Sequence, residues 1–134
     1  MYNNIEKIVK TEEEWKMSLT PEEYEVIRKG ATEAPFTGKY DAVFENGVYK
    51  CRACGAELFL SDSKYDARCG WPSFDKPMNE SNIEYRKDMS GGRERIEIRC
   101  AHCGAHLGHV FDDGPKTTGK RFCVNSASLN LEKK

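Results

Sequence analysis

The sequence predicts a mainly β protein whose antiparallel β-sheets form one barrel-like or tent-like domain behind a short N-terminal helical segment. From Phe36 onward, short runs rich in β-branched and aromatic residues are separated by Gly, Pro, Asn and Asp, a pattern typical of strands and turns. Residues 1–35 instead carry two helix-capping patterns. A chain of 134 residues is long enough for one hydrophobic core. We therefore expect a single domain over 1–134, with a helical segment at 1–35 and a β domain at 36–134.

Two short helices are predicted in the N-terminal segment. Thr11 and Thr20 each precede a glutamate three positions further on, which is the pattern of a capping box, and Pro21 suits the first position of the second helix. Gly30 is a stop signal for that helix. The apolar residues on the two inner faces are Trp15, Leu19, Tyr24 and Ile27. These faces are too small to form a core alone, so we expect them to pack as a lid on the sheets.

Five strands are predicted in the β domain, at 48–51, 57–60, 83–86, 95–100 and 122–125. Segment 95–100 alternates strictly, which places Ile96, Ile98 and Cys100 on one face and the charged side chains on the other. The glycine-containing segment 88–92 is predicted to be a turn between two of the strands.

Charge and hydropathy narrow the functional classes. The chain has 22 acidic and 21 basic residues and a formal net charge of -1, which does not favour a nucleic-acid partner. No stretch approaches the roughly 20 apolar residues of a membrane span, and the N-terminus lacks the apolar run of a signal peptide. We expect a cytoplasmic monomer without a membrane partner. In that reducing compartment, six cysteines indicate metal binding or catalysis and not a disulfide framework.

Four of the cysteines form two matched Cys-x-x-Cys pairs, each followed directly by glycine. These predicted metal ligands are Cys51, Cys54, Cys100 and Cys103. Two such pairs meet the tetrahedral demand of one zinc ion, and four thiolates leave no open position, so the zinc is predicted to be structural. The alternatives are two redox dithiols or unrelated core cysteines. His102, inside the second pair, is a possible substitute ligand.

Cys69 and Cys123 have no task in this metal site, which leaves them free for chemistry. A nucleophilic cysteine needs partial exposure and a nearby cation or imidazolium that favours its thiolate. If 121–125 is a strand, Arg121, Cys123 and Asn125 project from the same face. That arrangement places a permanent cation, a thiol and an amide side by side.

The two histidines His106 and His109 flank a glycine in a turn-like stretch, and Trp71 follows Cys69 closely. Taken singly, each of these residues has a plain structural interpretation, because free cysteine is commonly a small buried apolar residue and tryptophan commonly belongs to a core. The chain has only three histidines, and both spare cysteines lie in aromatic and polar contexts. The combination favours a reactive site.

Several of these segments resemble the signature of the R-type methionine sulfoxide reductases, the MsrB family. The matching segments are RCGWPSF at 68–74, HLGHVFDDGP at 106–115, RFCVNSASL at 121–129, EYEVIR at 23–28 and TEAPFTGKY at 32–40. The likeness runs in order from about residue 13 to residue 129, and the two cysteine pairs resemble the zinc-containing form of the family. Departures are Arg68 in place of a small residue, Ile96 in place of threonine, and a tail after Leu129 that lacks an aromatic residue and proline.

The resemblance implies a peptide-methionine (R)-S-oxide reductase that repairs proteins under oxidative stress. It implies that Cys123 is the nucleophile, that Cys69 is the resolving cysteine, and that thioredoxin is the reductant. Trp71 would hold the methyl group of the sulfoxide. The remaining implied site residues are His106, His109, Phe111, Asp113, Arg121 and Asn125.

The chemistry expected from these roles has two stages. Arg121 would lower the pKa of Cys123, and one of the two histidines would protonate the sulfoxide oxygen as methionine leaves. The resulting sulfenic acid would be attacked by Cys69 to form a disulfide, so we expect the loop that carries Cys69 to be mobile.

Two other functional classes compete with this interpretation. One is a zinc-ribbon-like binding module in which Cys69 and Cys123 are inert core residues, although a nucleic-acid module of that kind would show a basic excess. The other is a zinc deaminase, which needs a His-x-Glu motif and an open zinc position. The chain has no His-x-Glu and offers a full set of four sulfur ligands.

Overall fold

The computed structural model describes residues 8–133 and contains two α-helices and nine β-strands within that range. The helices are α1, Glu12–Ser18, and α2, Pro21–Ile27. The strands are β1, Gly47–Cys51; β2, Glu57–Leu60; β3, Lys64–Tyr65; β4, Ser73–Phe74; β5, Ile83–Asp88; β6, Arg95–Cys100; β7, His106–Phe111; β8, Arg121–Val124; and β9, Leu129–Lys133. Short 3₁₀ turns connect several of these strands.

The strands form two antiparallel sheets. The smaller sheet has the order β2-β1-β9, and the larger has the order β3-β4-β8-β7-β6-β5. The predicted mainly β class is therefore confirmed, but the sheets do not close into a barrel. Closure would require the two edge strands of the larger sheet to pair, and β3 has only two residues to offer against the six of β5.

Both helices begin as the sequence predicts. The Thr11 and Thr20 hydroxyls accept hydrogen bonds from the backbone N–H of Glu14 and Glu23, and those glutamates accept from the two threonine backbone N–H groups. The second helix ends at Ile27, followed by Arg28 as its C-cap and by Gly30 with φ of +76°. The inner face is buried, with Trp15 only 1% exposed.

The five predicted strands are confirmed, two of them with the predicted bounds and three within one or two residues. The turn at 88–92 is also confirmed, since it reverses the chain between β5 and β6 with Gly91 and Gly92 at positive φ. The sequence analysis missed β3, β4, β7 and β9. Three of these four strands lack the clean period-two alternation on which the strand assignment depends, because they are two residues long or interrupted by a bulge.

The turn-like interpretation of the histidine segment is wrong, because His106–Phe111 is the β7 strand in the middle of the larger sheet. Gly108 is not a turn residue there. A Cβ atom at that position would lie 1.9 Å from the carbonyl oxygen of Cys123 on β8. The glycine therefore permits a close approach of two strand backbones.

A single aromatic-rich core joins the two sheets and the helices. Phe59 of the smaller sheet stacks on Phe74 of the larger sheet at 4.3 Å between ring centroids, and Tyr49 meets the same ring edge-on at 5.1 Å. Trp15 and Ile27 of the helices belong to the same buried cluster. The helical segment thus packs on the sheets through this core, as expected for a lid. Neither helix in the described range is long and apolar enough to cross a membrane.

Candidate active site and metal centre

The four cysteines of the two Cys-x-x-Cys pairs lie together and form a candidate metal site. Their sulfur atoms all lie within 4.8 Å of one another. The Cys51 and Cys103 sulfurs are 3.6 Å apart, and the Cys54 and Cys100 sulfurs are also 3.6 Å apart. Each pair closes on a tight turn, in which the N–H of Gly55 donates to Cys51 and that of Gly104 donates to Cys100. The site therefore connects the end of β1 to the turn between β6 and β7.

The spacing of these sulfurs fits a tetrahedral thiolate site. Four sulfurs at about 2.3 Å from a central zinc ion stand about 3.8 Å apart, close to the separations observed. His102 is not needed as a ligand, because its Nε2 lies 3.0 Å from the Asn82 side-chain oxygen. Four soft donors and no oxygen donor suit zinc better than magnesium or calcium.

A cavity of about 200 Å³ brings most of the predicted reactive residues together. Its lining consists of Thr32, Cys69, Trp71, Arg95, Gly108, His109, Phe111, Arg121, Cys123, Val124 and Asn125. Of the predicted site residues, His106 and Asp113 do not line it. The cavity combines aromatic walls with a cation, an imidazole and two thiols.

The pairing of β7 with β8 explains much of this arrangement. His109 lies opposite Cys123, and Phe111 lies opposite Arg121, in the antiparallel register. Side chains directly opposite one another project from the same face, so four residues from two strands meet in one place. The predicted common face of Arg121 and Cys123 is confirmed, because Phe122 between them is buried in the core.

The two spare cysteines lie close together. The Cys69 and Cys123 sulfurs are 4.0 Å apart, and Cys69 also lies 3.3 Å from the Ser73 hydroxyl. The β4 strand carries Ser73 opposite Cys123, which anchors the loop just after Cys69. Because a disulfide bond is about 2.05 Å long, only a modest approach of the sulfurs is needed to form one. Mobility of the loop stays a prediction.

Burial raises the pKa of Cys123 to about 12, and the neighbouring Cys69 adds to this effect. Arg121 acts in the opposite direction, as the sequence analysis expected, but it does not outweigh burial. Cys123 is therefore a protonated thiol at neutral pH in the free protein, and its activation requires a further change of environment.

Arg121 is held firmly in place by two neighbours. Its guanidinium donates to both carboxylate oxygens of Asp113, at 2.8 and 3.2 Å, and its carbon lies 4.4 Å from the centre of the Phe111 ring. The guanidinium lowers the pKa of Asp113. Asp113 therefore positions Arg121 from outside the cavity and does not form part of the cavity wall.

The two histidines differ in position. His109 lines the cavity, and its Nε2 lies 2.7 Å from the Asp88 carboxylate. The same carboxylate oxygen accepts from Arg95 at 3.3 Å. Hydrogen bonds from Ser90, with a contribution from His109, hold the pKa of Asp88 far below its usual range.

His106 lies behind His109, with the ring centroids 5.7 Å apart. It is buried, and its Nδ1 lies 2.6 Å from the Glu97 carboxylate. Burial lowers the pKa of His106, which favours the neutral ring. Residues three apart on a regular strand point to opposite faces, so the two rings meet because the register between β6 and β7 shifts beside His106.

Comparison with known proteins identifies the family. A family model described as the SelR domain matches residues 19–133. The chain is 58% identical over 126 residues to the peptide methionine sulfoxide reductase MsrB of Acinetobacter baylyi, covering 94% of this chain and 91% of the relative. The chain belongs to the MsrB family of peptide methionine sulfoxide reductases.

Other members of the MsrB family show the same extent of similarity. The protein of that name from Acinetobacter baumannii is 56% identical over 126 residues, covering 94% of this chain and 91% of the relative. That of Chromohalobacter salexigens is 54% identical over 127 residues, covering 94% and 96%. The resemblance drawn from the sequence motifs is confirmed, and the four-cysteine cluster is consistent with the zinc-containing form of the family.

In this MsrB-family chain, sequence analysis missed the carboxylates that support the site. Asp88 and Glu97 each hold one histidine ring, and neither stood out, because one lies in a turn motif and the other on the charged face of a strand. The alternation of β6 placed Glu97 on the face opposite the core. The alternation therefore predicted the face of the sheet on which Glu97 lies, but it did not predict the contact of Glu97 with His106.

Glu33 was also missed, although it connects three parts of the site. Its carbonyl oxygen accepts from the Trp71 indole N–H at 3.0 Å, and its backbone N–H donates to the Asn125 side chain at 3.0 Å. The Glu33 carboxylate accepts from the backbone N–H of Ala127 at 2.9 Å. Asn125, predicted as a catalytic residue, lines the cavity but uses its amide to join this segment to Leu107 on β7.

Proposed function

We propose that this protein reduces methionine-R-sulfoxide in proteins and peptides, with thioredoxin as the reductant, and so repairs oxidised proteins under oxidative stress. The observation that carries the proposal is the pair of sulfurs, Cys69 and Cys123, 4.0 Å apart at one cavity. The two sulfurs are close enough to form a disulfide once one of them has been oxidised to a sulfenic acid. The same cavity offers an apolar wall and a polar wall.

The apolar wall suits the methyl group of the substrate. Trp71 and Phe111 line the cavity, and a thioether sulfur is attracted modestly to aromatic rings. The indole of Trp71 is fixed by its hydrogen bond to Glu33, so this wall is already oriented before the substrate binds. Binding in this way would turn the sulfoxide sulfur toward Cys123.

In the first chemical step, the Cys123 sulfur attacks the sulfoxide sulfur, and the oxygen passes to Cys123 as a sulfenic acid while methionine leaves. We assign the proton transfer to His109, because it lines the cavity whereas His106 is buried behind it. The Asp88 carboxylate holds Nε2 of His109 at 2.7 Å, which leaves Nδ1 available for the substrate oxygen. The proton that Cys123 gives up is thereby delivered to the oxygen, and Arg121 stabilises the thiolate.

In the second step, the Cys69 sulfur attacks Sγ of the sulfenic acid on Cys123, and the oxygen leaves as water. The product is a disulfide between the two cysteines, which a dithiol protein reduces by exchange. The 4.0 Å separation supports this step, since the sulfurs need to close by only about 2 Å.

We propose that the metal site holds one structural zinc ion bound by the four thiolates. A full set of four sulfur ligands leaves no open position for substrate, so zinc there would supply stability and not reactivity. The ligands join β1 of the smaller sheet to the β6–β7 turn of the larger sheet. A clamp at that point would hold the sheet that carries the active site.

We further propose that the protein works as a monomer in the cytoplasm, without a nucleic-acid or membrane partner. Metal-binding thiols and a catalytic thiol persist in a reducing compartment, and the near-neutral charge balance gives no basic surface excess for nucleic acid. Size-exclusion chromatography with light scattering would report the mass of the native protein, and a dimer would contradict the proposal.

The proposal is tested by assaying the two sulfoxide diastereomers of a methionine peptide with a thioredoxin system. We expect the R form alone to be reduced. Cys123→Ser should abolish turnover, whereas Cys69→Ser should release about one methionine per enzyme and then stall. Normal steady-state activity of Cys123→Ser would overturn the assignment of the nucleophile. A binding module with inert cysteines would reduce neither diastereomer.

A further inference from the structure

Cys69 lies between two clefts, only one of which contains Cys123. The first is the cavity of about 200 Å³ described above. The second, of about 450 Å³, lies on the outer side of the Cys69 loop, between that loop and the 113–115 segment. Arg121 also lines both clefts, whereas Trp71 and His109 line only the first. Cys69 is therefore accessible from a direction that avoids the substrate cavity.

Thiol–disulfide exchange needs such a direction. The attacking sulfur approaches in line with the bond that breaks, on the side away from the leaving sulfur. In a disulfide between Cys69 and Cys123, the leaving sulfur is that of Cys123, which occupies the first cavity. A protein dithiol is also much larger than a methionine side chain and needs an open approach, and the second cleft is more open to solvent than the first.

We infer that the second cleft is the docking site of the reductant, a dithiol protein that attacks Cys69 and not Cys123. This inference rests on the function proposed above. A thiolate of the partner bonds to Sγ of Cys69, the bond between Cys69 and Cys123 breaks, and the electron pair leaves on Cys123 as a thiolate beside Arg121. The second thiol of the partner then loses its proton and attacks the partner's first sulfur, which is bonded to Cys69 in the mixed disulfide. This step releases Cys69 as a thiolate, which takes a proton from solvent. Two electrons pass from the dithiol, which becomes a disulfide.

The charges around the second cleft indicate the chemistry of the partner. Arg121 and Asp113 neutralise each other through their two hydrogen bonds. Arg68 is exposed at the rim and forms no ion pair with any residue of the described range 8–133. Its backbone is held in the left-handed region, with φ of +57°, and its N–H donates to the Asp66 side chain. The rim therefore presents a cation without an ion-pair partner in the described range, and this cation fits a partner with an acidic side chain next to its dithiol.

The test is Arg68→Glu, which reverses the charge at the rim and touches neither the first cavity nor the metal site. We expect kcat/KM for thioredoxin to fall about tenfold, because a rim charge acts mainly on the association rate. The fall should shrink as the salt concentration rises. Reduction by dithiothreitol, a small uncharged dithiol, should stay within about twofold of the wild type. Arg93→Glu, at another exposed arginine that lines neither cleft, is the matched control.

A second variant, Ala67→Phe, fills the same cleft without changing its charge and should also lower kcat/KM for thioredoxin. The readout that separates this inference from the proposed function is the release of methionine in the first turnover without reductant. If the wild type releases none, the proposed function fails. If that release is normal but Arg68→Glu and Ala67→Phe match Arg93→Glu with thioredoxin, the function stands and the docking site is wrong.

Discussion

In the free protein, burial keeps the proposed nucleophile Cys123 as a protonated thiol. Burial and the neighbouring Cys69 raise the pKa of Cys123, and the nearby Arg121 lowers it. Burial has the larger effect, so the pKa is about 12. A buried nucleophile of this kind is protected from adventitious oxidants, because the thiolate is the reactive form. For Cys123 to act as the proposed nucleophile, its thiol proton has to be removed when the substrate binds. The candidate acceptor of this proton is His109, which lies directly opposite Cys123 in the pairing of β7 with β8.

The pH dependence of Cys123 alkylation measures this balance directly. Because the pKa is raised, the thiolate fraction should increase about tenfold per pH unit from pH 7 to pH 9, with no plateau. An ordinary cysteine begins to level off above about pH 8.5. The measurement is the rate of iodoacetamide labelling of Cys123 in the Cys69→Ser variant, followed by mass spectrometry. A plateau near pH 7 would mean that Arg121 outweighs burial in solution.

Asp88 supports His109 and is expected to matter for the first turnover. Asp88→Asn keeps the shape of the side chain but removes the charge that holds Nε2 of His109. We expect the rate of methionine release in a single turnover to fall by about tenfold to a hundredfold, since a misoriented general acid loses much of its contribution. Glu84→Gln is the control, because Glu84 is a partly exposed acid on the same β5 strand, and within residues 8–133 its ion pair is with Arg86 alone. Equal rates for both variants would exclude Asp88 from the mechanism.

At the scale of elements, the active site depends on the exact pairing of β7 with β8. The register places His109 opposite Cys123, and the bulge beside His106 turns that ring to the same side. A slip of one residue would move every one of these side chains to the opposite face. Gly108 secures the pairing by letting the two backbones approach closely.

Gly108→Ala should disturb this pairing. The new Cβ would meet the Cys123 carbonyl oxygen at 1.9 Å, and a backbone atom inside a sheet has little freedom to move away. We expect a loss of about 1–3 kcal/mol or more in the free energy of unfolding, together with loss of activity. Gly30→Ala is the matched control: nothing lies within 4 Å of its Cβ position, so only the left-handed backbone strain of about 1 kcal/mol applies. Urea denaturation of both variants gives the comparison.

At the scale of the whole molecule, two small sheets and two short helices share one core, and the four cysteines of the candidate metal site bring the end of β1 next to the β6–β7 turn. We propose that residues 1–134 fold as one domain, because Trp15 of α1 and Phe74 of the larger sheet lie in the same cluster. A chain of this size has a net stability of about 5–15 kcal/mol. Structural zinc binding of about 10 kcal/mol is comparable with that total.

Removal of the metal should therefore unfold the protein. We expect chelation to lower the midpoint of thermal unfolding strongly, and activity should be lost together with the circular dichroism signal and not before it. In the metal-loaded protein, tryptophan fluorescence and circular dichroism should report one common transition. Cys54→Ser, which removes one proposed ligand, should behave like the chelated protein, whereas Ser81→Ala, at a half-buried serine outside both the four-cysteine cluster and the cavity, should not. Activity that disappears while the fold persists would contradict a purely structural metal.

The sequence by itself determined the mainly β class, both capped helices, the four cysteines of the candidate metal site and the pair of spare cysteines. Each of these is encoded locally: a capping box spans four residues, and a metal-binding turn spans four or five. A resemblance carried by contiguous motifs is local in the same sense. It supplied the expected roles of Cys123 and Cys69 before any distance between them was known.

Only the tertiary structure decided which histidine faces the cavity, which carboxylate holds it, and whether Arg121 or burial controls the pKa of Cys123. These properties depend on side chains brought together from distant segments, such as Asp88 with His109 and Glu33 with Trp71. They also depend on the bulge in β7 and on the open edges of the larger sheet. No periodicity in the sequence predicts either feature. The physical reason is that desolvation and hydrogen bonding act through space, whereas a sequence pattern records only what lies near along the chain.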